Sequence, residues 1–468
     1  MKREDIIVPE GEIARQRDFQ ENVRAMFAAR GAHPLARVET FGCQQNVADG
    51  QRIMGMLEAM GFAFTEDAGE ADLVLLNTCA IREHAEQRVF GNLGILTHSK
   101  KENPEQVIVL CGCMAAEERV AKRVKESYRH VDLVFGPQAL WRFPELLWQV
   151  YETKKRVFSA AGERGCIAEG LPVVRERGVK AWVSIMYGCD NFCSYCIVPY
   201  VRGRERSREP AAVLAEVREL VEAGYKDITL LGQNVNSYEN GRDYRFPDLL
   251  EDIDRIPGDY WLRFMSSHPK DATPRLFDVM AKGRHVAKQL HLPFQSGNNR
   301  VLEEMNRRYT REKYLELIRY ARSVMPGLVL TSDVIIGFPG ETEAEALDTV
   351  SLVEEVGFDA LFTFLYSPRP GTKAAEMPDP VPKEEKQKWF DHLLEVQNGR
   401  SAVIHAGYAG RRVRVLVDGE SGDEAYPLSS RTEGNRLVRL RGDKSLVGRF
   451  LEVKITGSNT WALYGEPV

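Results

Sequence analysis

Three cysteines lie within the segment GCDNFCSYCIVPYVRGRERSR, which spans residues 188–208. Cys189, Cys193 and Cys196 have the spacing C-x3-C-x2-C, with no fourth cysteine or histidine nearby in the sequence. Structural zinc sites usually take four ligands in paired C-x2-C units. Three thiolates can instead hold a cubic iron–sulfur cluster and leave its fourth iron open to a ligand. The spacing therefore favours a catalytic iron–sulfur centre over structural zinc.

Three other cysteines are far apart in the sequence but occupy equivalent positions relative to predicted strands. Each follows an apolar run, and they are Cys43, Cys79 and Cys113. Because the carboxyl ends of parallel strands lie along one edge of an open sheet, we expect these thiols to share a metal site. Cys111 is expected to be structural, and Cys166 to be an unligated thiol in a linker.

The composition indicates a chain that can bury several cores and still carry many charges. Its 468 residues correspond to about three domains. The formal net charge is −5, so a nucleic-acid site has to be a local patch. No run of about 18 apolar residues is present, and residues 1–27 are too polar for a signal peptide. We expect a cytoplasmic protein without a membrane segment.

Apolar runs alternate with helical patterns over most of the chain, which predicts parallel strands joined by right-handed crossovers. Six runs in the middle of the chain lie at residues 183–187, 228–231, 262–266, 289–293, 329–336 and 360–366. Six strand–helix repeats suit an incomplete barrel, whose active residues lie at the carboxyl ends of its strands. After the proline-rich break MPDPVPKEE, short arginine-rich β-like runs predict a small antiparallel barrel.

Several segments carry a resemblance to a known family. C-x3-C-x2-C after the first barrel strand resembles the signature of radical S-adenosylmethionine (SAM) enzymes. TFGCQQN, LNTCAIRE and GCMAAEE resemble the three N-terminal boxes of the methylthiotransferases. LLGQNVNSY, HLPFQSGNNRVLEEMNRRYTRE, LYSPRPGTKAA and SSRTEGNRLVRL resemble segments of the branch of that family that modifies tRNA. Gln45 and Gly50 depart from the family pattern, but neither position is a ligand.

The polar N-terminal sequence predicts a solvated helical extension at residues 1–35. The resemblance covers about residues 36–468 and implies an α/β protein. Its three domains would be a flavodoxin-like parallel-sheet domain at 36–155, an incomplete (β/α)6 radical-SAM barrel at 175–400 and a TRAM-like RNA-binding β-barrel at 405–468. It also implies two [4Fe-4S] clusters. Cys189, Cys193 and Cys196 would hold the one that cleaves SAM, and the auxiliary one would be held by Cys43, Cys79 and Cys113.

Contacts to SAM are expected at the carboxyl ends of the barrel strands. The residues predicted there are Gln233, Asn234, Asn236, Ser266, Gln295, Ser296, Asp333, Ile335 and Gly337. The amides suit the amino-acid end of SAM, and the PFQSGN segment lies where the superfamily commonly binds the ribose. Ile335 would flank the adenine, and Gly337 would let the backbone approach the ligand closely. His268 faces the same mouth and is assigned no role.

Alternating arginines follow the cysteines, at Arg202, Arg204, Arg206 and Arg208. In an extended segment they would share one face, which predicts a strip that contacts RNA phosphates. Two further arginines predict a second RNA contact in the C-terminal barrel, and these are Arg431 and Arg436. The alternative interpretation of both sets is an ordinary solvated charged face.

The function implied by the resemblance is methylthiolation of C2 of N6-isopentenyladenosine beside the anticodon of tRNA. One SAM would donate the methyl group, and a second would be cleaved to a radical that takes the C2 hydrogen. The expected partners are the anticodon stem-loop, whose bases can splay out, an electron donor such as flavodoxin or ferredoxin, and a sulfur carrier. The protein is expected to be a monomer. Two alternatives stay open: the same chemistry on threonylcarbamoyladenosine tRNA or a ribosomal protein, and a zinc-stabilised RNA-binding module without catalysis.

Overall fold

The computed structural model describes residues 6–80, 83–159, 165–175 and 178–468. The chain divides into two compact units that alternate along the sequence. The first lies within Met1–Glu176, Tyr187–Asp190 and Cys196–Arg206, and the second within Arg177–Met186, Asn191–Tyr195 and Ser207–Val468. Among the helices of the described residues, none is long and apolar enough to cross a membrane.

A six-stranded parallel sheet forms the centre of the first unit. Its strands are β1 Leu35–Thr40, β2 Ala63–Phe64, β3 Leu73–Thr78, β4 Val107–Gly112, β5 Leu133–Phe135 and β6 Val157–Ser159. They lie in the order β2-β1-β3-β4-β5-β6, and the first five follow the flavodoxin-like order. In this order the crevice beside β1 and β3 is where ligands bind. The predicted fold is confirmed, although the sequence pattern did not indicate the short β2 and β6.

Helices cover both faces of this sheet. Leu73 and Leu75 of β3 pack into one apolar cluster, and Val74 and Leu76 pack into another. A parallel strand buried on both faces needs apolar side chains in both directions, which explains the unbroken apolar run. The helices of the first unit are α1 Glu10–Ala29, α2 Gln44–Ala59, α3 Glu83–Glu102, α4 Glu118–Ser127, α5 Phe143–Thr153 and α6 Val198–Arg202.

The N-terminal helix α1 is part of the core of the first unit. Val23 and Phe27 are buried against the sheet, and the Phe27 ring lies edge-on to Tyr151 of α5 at 5.6 Å. The expectation of a solvated extension is therefore wrong for this helix, because its apolar residues at helical spacing face α5 and the sheet. Residues 1–5 of the predicted extension lie outside the described residues.

Parallel strands also form the centre of the second unit. The strands that follow the first sheet along the chain are β7 Lys180–Ser184, β8 Met186–Tyr187, β9 Arg206–Ser207, β10 Asp227–Leu231, β11 Glu239–Asn240, β12 Tyr244–Arg245, β13 Trp261–Phe264, β14 Gln289–His291, β15 Val329–Ile336 and β16 Ala360–Leu365. Six of them make two three-stranded sheets, β13-β10-β7 and β14-β15-β16. A parallel bridge links Leu262 of β13 to Val286, three residues before β14, and the arrangement agrees with the predicted incomplete barrel.

Helices pack on the outer face of this barrel and complete its apolar core. They are α7 Pro210–Glu222, α8 Phe246–Asp254, α9 Pro274–Lys282, α10 Asn299–Glu304, α11 Arg311–Val324, α12 Glu343–Val356 and α13 Lys383–Ala406. Alternate residues of β15 face these helices, including the buried Val334 and Ile336. The remaining face of the sheet, which carries Thr331, Asp333 and Ile335, is turned to the barrel interior.

A small closed barrel ends the chain. Its strands are β17 Arg412–Glu420, β18 Leu428–Thr432, β19 Leu437–Leu440, β20 Phe450–Ser458 and β21 Leu463–Pro467. They close in the order β17-β18-β19-β21-β20, and all neighbours are antiparallel except β19 and β21. The sequence pattern predicted this barrel but not β18, whose central SSR is polar.

The turn between β18 and β19 packs against the amino ends of β14 and β15. The Arg263 guanidinium of β13 donates to the carbonyl oxygen of Thr432 at 3.1 Å, and the backbone nitrogen of Lys288 donates to the Glu433 carboxylate at 3.1 Å. A Cβ on Gly434 would lie 2.3 Å from the Cγ2 atom of Val329. The turn therefore covers the end of the barrel opposite the ligand-binding strand ends.

Candidate active site

The first cysteine triplet lies at the carboxyl ends of three neighbouring strands. Cys43 precedes α2 after β1, Cys79 directly follows β3, and Cys113 directly follows β4. A Cβ on Gly42, which has a φ of 111°, would lie 2.8 Å from the Sγ atom of Cys79, so the first two loops are in contact. The sheet thus brings the three positions to one edge, as the sequence pattern predicts. Their use as cluster ligands stays a prediction.

A buried hydrogen-bond network holds this edge of the sheet against α6. The Nε atom of Arg202 lies 3.0 Å from the Sγ atom of Cys113. Its Nη2 atom donates to the amide oxygen of Asn46 at 2.7 Å and to the Asp49 carboxylate at 2.8 Å. Asn46 in turn donates to two backbone carbonyl oxygens, those of Phe41 and Thr78. Because these carbonyls precede the cysteine-bearing turns, the network fixes the positions of those turns.

Sequence reasoning did not single out Asn46 and Asp49. A signal was nevertheless present, because the polar residues of QQNVAD occupy the first turns of α2, where the helix starts at the strand edge. Both side chains are buried, and Asp49 is only 4% exposed. A buried carboxylate requires a charged partner, and Arg202 supplies it.

The thiols of the first triplet lie in a desolvated environment. Burial raises the pKa of Cys113 to about 12, although the charge of Arg202 acts in the opposite direction, and the thiols of Cys79 and Cys43 raise the pKa further. Burial also raises the pKa of Cys111, which lies within the apolar core. Such buried thiols lose their protons to a metal more readily than to water, because metal coordination displaces the proton.

The donor set fits a four-iron cluster at this edge. Three thiols suit a cubane that keeps one iron open, and Arg202 places a positive charge beside a thiol that becomes anionic when it is a ligand. In the part of the chain that the structure describes, no three Cys, His, Asp or Glu side chains could hold a metal ion together. A cubane does not require such convergence, because it takes each thiolate at a different iron.

The second cysteine triplet lies on the loop between β8 and α6. Cys189 and Cys193 are buried, and Cys196 is half-buried. The Nη1 atom of Arg307 lies 3.5 Å from the Sγ atom of Cys193, and its Nη2 atom donates to the carbonyl oxygen of Pro293 at 2.7 Å. Each triplet therefore has one thiol beside a buried arginine. Sequence reasoning missed Arg307, since nothing in the NRRY segment distinguishes it from its neighbours.

Unpartnered buried polar atoms gather on the loops that follow the barrel strands. Six of those in the second unit are Asn234 Oδ1, Ser267 Oγ, His268 Nε2, Gln295 Oε1, Glu341 Oε1 and Tyr366 Oη. Buried polar atoms rarely lack a partner, so this concentration indicates a polar ligand. The amino, carboxylate, ribose and adenine groups of SAM offer both donors and acceptors. The mouth of the barrel therefore fits SAM.

His268 is a neutral donor at this mouth. Its Nδ1 atom accepts a hydrogen bond from the backbone nitrogen of Lys270 at 3.1 Å, which places the ring proton on Nε2. Burial lowers the pKa of His268 far below its usual range, and the charge of Arg307 adds to this effect. The Nε2–H group is therefore available to a ligand as an uncharged donor. The sequence had given no basis for this role.

Several of the predicted SAM residues are well placed to contact a ligand. Asn234 donates through Nδ2 to Asp271 at 2.7 Å and keeps its Oδ1 atom unpartnered. Gln295 has a φ of 66° and an unpartnered Oε1 atom. Asp333 lies 3.4 Å from the Nε2 atom of His291 on the interior face of the barrel. Three more predicted residues are half-buried: Gln233 follows β10, Ser266 follows β13, and Ile335 lies on β15.

Other predicted SAM residues are engaged within the protein. The Asn236 side chain pairs with the backbone of His268 at both atoms, and the Ser296 hydroxyl accepts from the backbone nitrogen of Asn298 at 3.2 Å. Gly337 has a φ of 75°, and a Cβ there would lie 2.7 Å from the Cδ atom of Lys386. The glycine thus makes room for a lysine side chain, and the close approach of its backbone to SAM stays a prediction.

Matches to three protein families cover most of the chain. Residues 36–136 match the family described as Uncharacterized protein family UPF0004, residues 183–353 match the Radical SAM superfamily, and residues 407–468 match the TRAM domain. The matched segments correspond to the flavodoxin-like sheet, the incomplete barrel and the small closed barrel.

Relatives cover nearly the whole chain. A tRNA-2-methylthio-N(6)-dimethylallyladenosine synthase of Thermoanaerobacter sp. (strain X514) is 45% identical over 99% of this chain and 98% of its own length. The protein of the same name from Oceanobacillus iheyensis is 48% identical over 92% of this chain and 83% of its own length. The chain belongs to the tRNA-2-methylthio-N(6)-dimethylallyladenosine synthase family. Membership in this synthase family makes the chain a radical-SAM methylthiotransferase and excludes the non-catalytic zinc module.

Solved structures share the fold of this synthase at much lower identity. The radical-SAM methyltransferase TsrM from Kitasatospora setae superposes with a TM-score of 0.55 at 16% identity, over 74% of this chain and 75% of its own. The cobalamin-dependent radical enzyme OxsB superposes with a TM-score of 0.51 at 12% identity, over 78% of this chain and 56% of its own. As a synthase of this family, the chain uses SAM and two [4Fe-4S] clusters.

The arginine strip predicted for RNA does not form one open face in this synthase. Arg202, Arg206 and Arg208 are buried, whereas the Arg204 side chain is 65% exposed. Residues 198–202 form α6 instead of an extended segment, so the alternating pattern breaks. Arg206 donates to the carbonyl oxygens of Arg202 and Arg204, and Arg208 pairs with Glu216 at 2.6 Å. Three of the four arginines are therefore engaged within the protein, and their contact with RNA stays a prediction.

The two predicted RNA contacts in the C-terminal barrel also differ from each other. Arg436 is buried, pairs with Asp359 after α12 and donates to the Tyr408 hydroxyl at 3.1 Å. Its guanidinium thus joins the small barrel to the larger one, and its contact with RNA stays a prediction. Arg431 is half-exposed beside Asp418 at 3.5 Å, and its contact with RNA stays a prediction.

Proposed function

We propose that the chain inserts a methylthio group at C2 of N6-dimethylallyladenosine in tRNA, next to the anticodon. The proposal is supported above all by relatives of that name at 45–48% identity along nearly the whole chain. Two cysteine triplets at strand ends and a TRAM match agree with it. The same reaction on threonylcarbamoyladenosine tRNA or on a ribosomal protein has no observation in its favour.

Each triplet of thiols would hold one [4Fe-4S] cluster. Cys189, Cys193 and Cys196 would leave an iron open at the barrel mouth, where bound SAM would be cleaved by one electron to give the radical source. Asn234, His268 and Gln295 would orient SAM through their unpartnered atoms.

The chain's own residues around the auxiliary site would hold the sulfur-donating centre in place. Cys43, Cys79 and Cys113 would be its ligands, and Arg202 would fix the Cys113 side chain and offset its negative charge. The carboxyl-end position of all six cysteines fits a reaction that needs both centres to be open to ligands.

The substrate partner would be the anticodon stem-loop of tRNA. Single-stranded loops let one base leave the stack, and C2 of an adenosine is accessible to a buried centre only after such a movement. Among the predicted arginines, Arg204 and Arg431 keep the most exposed side chains, although each pairs with an aspartate, Asp190 at 3.0 Å and Asp418 at 3.5 Å. An electron donor such as flavodoxin or ferredoxin, a sulfur carrier, a monomeric state and a cytoplasmic location complete the proposal.

The test is an assay of the anaerobically reconstituted chain on two RNAs. Anticodon stem-loops that carry either N6-dimethylallyladenosine or unmodified adenosine would be incubated with SAM and a strong reductant, and the nucleosides analysed by mass spectrometry. We expect 2-methylthio-N6-dimethylallyladenosine from the first RNA, and a Cys79→Ala variant should give none. Absence of that nucleoside with fully loaded protein would overturn the proposed function.

A further inference from the structure

Two half-exposed phenylalanines lie on the interior face of the incomplete barrel. On β16, Phe362 is 53% exposed and Phe364 is 51% exposed. Leu361, the residue directly before Phe362, packs against the helix-covered core on the other face. Successive side chains of a strand point to opposite faces. Phe362 and Phe364 therefore face the barrel interior.

The neighbours of these phenylalanines place them beside the SAM-binding mouth. Phe362 is the partner of Asp333 on β15, and Phe364 is the partner of Ile335. The ring of Phe362 meets the His291 ring edge-on at 5.7 Å, and His291 is in turn 3.4 Å from Asp333. His291 thus contacts one edge of the Phe362 ring, while about half of the surface of each phenylalanine is exposed.

An aromatic pair of this kind suits a nucleobase that carries an apolar substituent. Residues two positions apart on a strand are about 7 Å apart, so both rings can contact one extended ligand. Aromatic side chains are common stacking platforms for unstacked bases. A cavity that holds only water is usually lined by polar side chains. Two exposed phenylalanine rings in this cavity therefore indicate an apolar ligand.

We propose that Phe362 and Phe364 form the platform that recognises the dimethylallyl-adenine of the tRNA substrate. One ring stacks on the adenine, and the other packs against the five-carbon group on N6. We infer this ligand because prenylated adenine combines an aromatic ring with a branched apolar chain, and a phenylalanine ring can pack against either part. This inference rests on the proposed function. Beyond that function, the inference names the two residues that would make the enzyme select an adenosine that already carries the prenyl group.

The experiment compares two stem-loop RNAs that differ only in the dimethylallyl group. Their dissociation constants and product yields would be measured for the reconstituted wild-type chain, Phe362→Ala, Phe364→Ala and the double variant. We expect wild type to prefer the prenylated RNA, and each alanine to reduce that preference about tenfold or more. Affinity for the unprenylated RNA should change less, and iron content, SAM affinity and SAM cleavage without RNA should stay the same.

Conservative and distant variants complete the design. Phe362→Leu and Phe364→Leu keep apolar volume and should retain more of the prenyl preference than the alanines do. Val403→Ala, at an exposed apolar residue of α13, should behave as wild type. An unchanged preference in the folded, iron-loaded double variant would overturn the inference, and so would weaker SAM binding as the main effect. If wild type forms no methylthio product at all, the proposed function fails instead.

Discussion

Arg202 and Arg307 each place a permanent positive charge beside one thiol of a cysteine triplet. Both are only 4% exposed, so their charges are poorly screened by solvent. A guanidinium beside a thiolate ligand offsets part of the negative charge of an iron–sulfur centre and raises its reduction potential. The two sites differ in their further partners, because Arg202 also pairs with Asp49, whereas Arg307 donates to a backbone carbonyl and to Tyr309.

Replacement of Arg202 should weaken the auxiliary site in particular. Arg202→Gln removes the charge beside Cys113 and leaves the buried Asp49 without its closest cation. We expect about 10- to 100-fold weaker retention of the auxiliary cluster, as is typical when a group that supports a ligand is lost. Iron and sulfide per chain, measured after anaerobic reconstitution and gel filtration, provide the test.

The matched control for this change is Arg204→Gln, two residues along the chain and largely exposed. It should leave the iron content unchanged. Equal iron loss in both variants, or none in Arg202→Gln, would show that Arg202 does not support the cluster. Arg202→Lys should lie between the two, because lysine keeps the charge but cannot bind two acceptors in the same fork geometry.

At the residue level, the sequence predicted the positions of the cysteines better than the burial of the arginines. The positions of Cys43, Cys79 and Cys113 follow from strand ends, which are local features of the sequence. The burial of Arg202 and Arg436 depends on partners far away in the chain, Asp49 and Asp359, and no local pattern reveals such pairs. Charged residues are predicted on surfaces by default, and buried ion pairs are the usual exceptions.

The turn after β15 is an element whose geometry depends on a buried carboxylate. Glu341 accepts hydrogen bonds from the backbone nitrogens of Gly337 and Phe338 through one oxygen, and its other oxygen has no partner. Burial raises the pKa of Glu341 from 4.5 to about 7, and the two backbone hydrogen bonds only partly offset this. The turn also positions Ile335 and the start of α12, so its stability affects the barrel mouth.

The raised pKa makes the contribution of Glu341 depend on pH. Below about pH 4.5 both folded and unfolded states are protonated, and the folded state carries no ionisation penalty. As the pH rises from about 4.5 to 7, the unfolded state ionises first, so stability is lost, by roughly 3 kcal/mol at most. Above pH 7 the penalty stays constant.

Glu341→Gln should therefore stabilise the chain relative to wild type at high pH more than at low pH. The amide oxygen can keep the two backbone hydrogen bonds without ionising. Urea unfolding midpoints of both proteins at pH 5 and pH 8, followed by tryptophan fluorescence, provide the measurement. A gap between the two midpoints that narrows from pH 5 to pH 8 would contradict the assignment.

The turn between β18 and β19 is a second element with a tight steric requirement. A Cβ at Gly434 would lie 2.3 Å from Val329, the first residue of β15. Gly434→Val should displace the turn and destabilise the second unit by about 1–3 kcal/mol, as overpacking usually does. Thermal unfolding would show a lower midpoint. Gly457→Ala, where nothing lies within 4 Å of the added carbon, is the control and should differ little from wild type.

At the level of elements, the sequence predicted most strands of the barrel closely, but the run 183–187 overlaps β7 only at its last two residues. The predicted run 329–336 is β15 without any shift, and the run 228–231 differs from β10 by one residue. Apolar runs of this kind are sufficient because these strands are buried on at least one face. The helix α6 was not predicted, since its sequence VPYVR contains a proline and β-branched residues, and its formation depends on packing of Ile197 and Val201 against Cys113.

For the molecule as a whole, two open clusters imply separable half-reactions. Cys193→Ala should abolish reductive cleavage of SAM, whereas Cys79→Ala should leave cleavage without RNA largely intact and stop methylthio transfer. Deoxyadenosine release and methylthio-nucleoside formation would be measured in parallel on samples of known iron content. If Cys79→Ala destroys cleavage in a folded protein that still holds the other cluster, the centres are not independent.

Binding of tRNA by a chain of net charge −5 should depend on few exposed arginines. Arg204→Ala should weaken tRNA binding and reduce the slope of log affinity against log salt by about one, since one phosphate contact is lost. Arg255→Ala, at an exposed arginine that follows α8, is the control and should leave the slope unchanged. Affinities measured from low to high salt provide both values, and an unchanged slope for Arg204→Ala would place the phosphate contacts elsewhere.

The interleaving of the two units along the chain limits how the enzyme can be divided. Residues 196–206 lie after the predicted linker around Cys166 in sequence but belong to the first compact unit. A fragment that ends at the linker would lose Arg202, and it would expose the apolar surface around Cys113 that Ile197 and Val201 cover. Such a fragment should aggregate even though its sheet is complete. The same segment carries Cys196 of the second triplet, so the two units cannot be exchanged between relatives by cutting the chain at the linker alone.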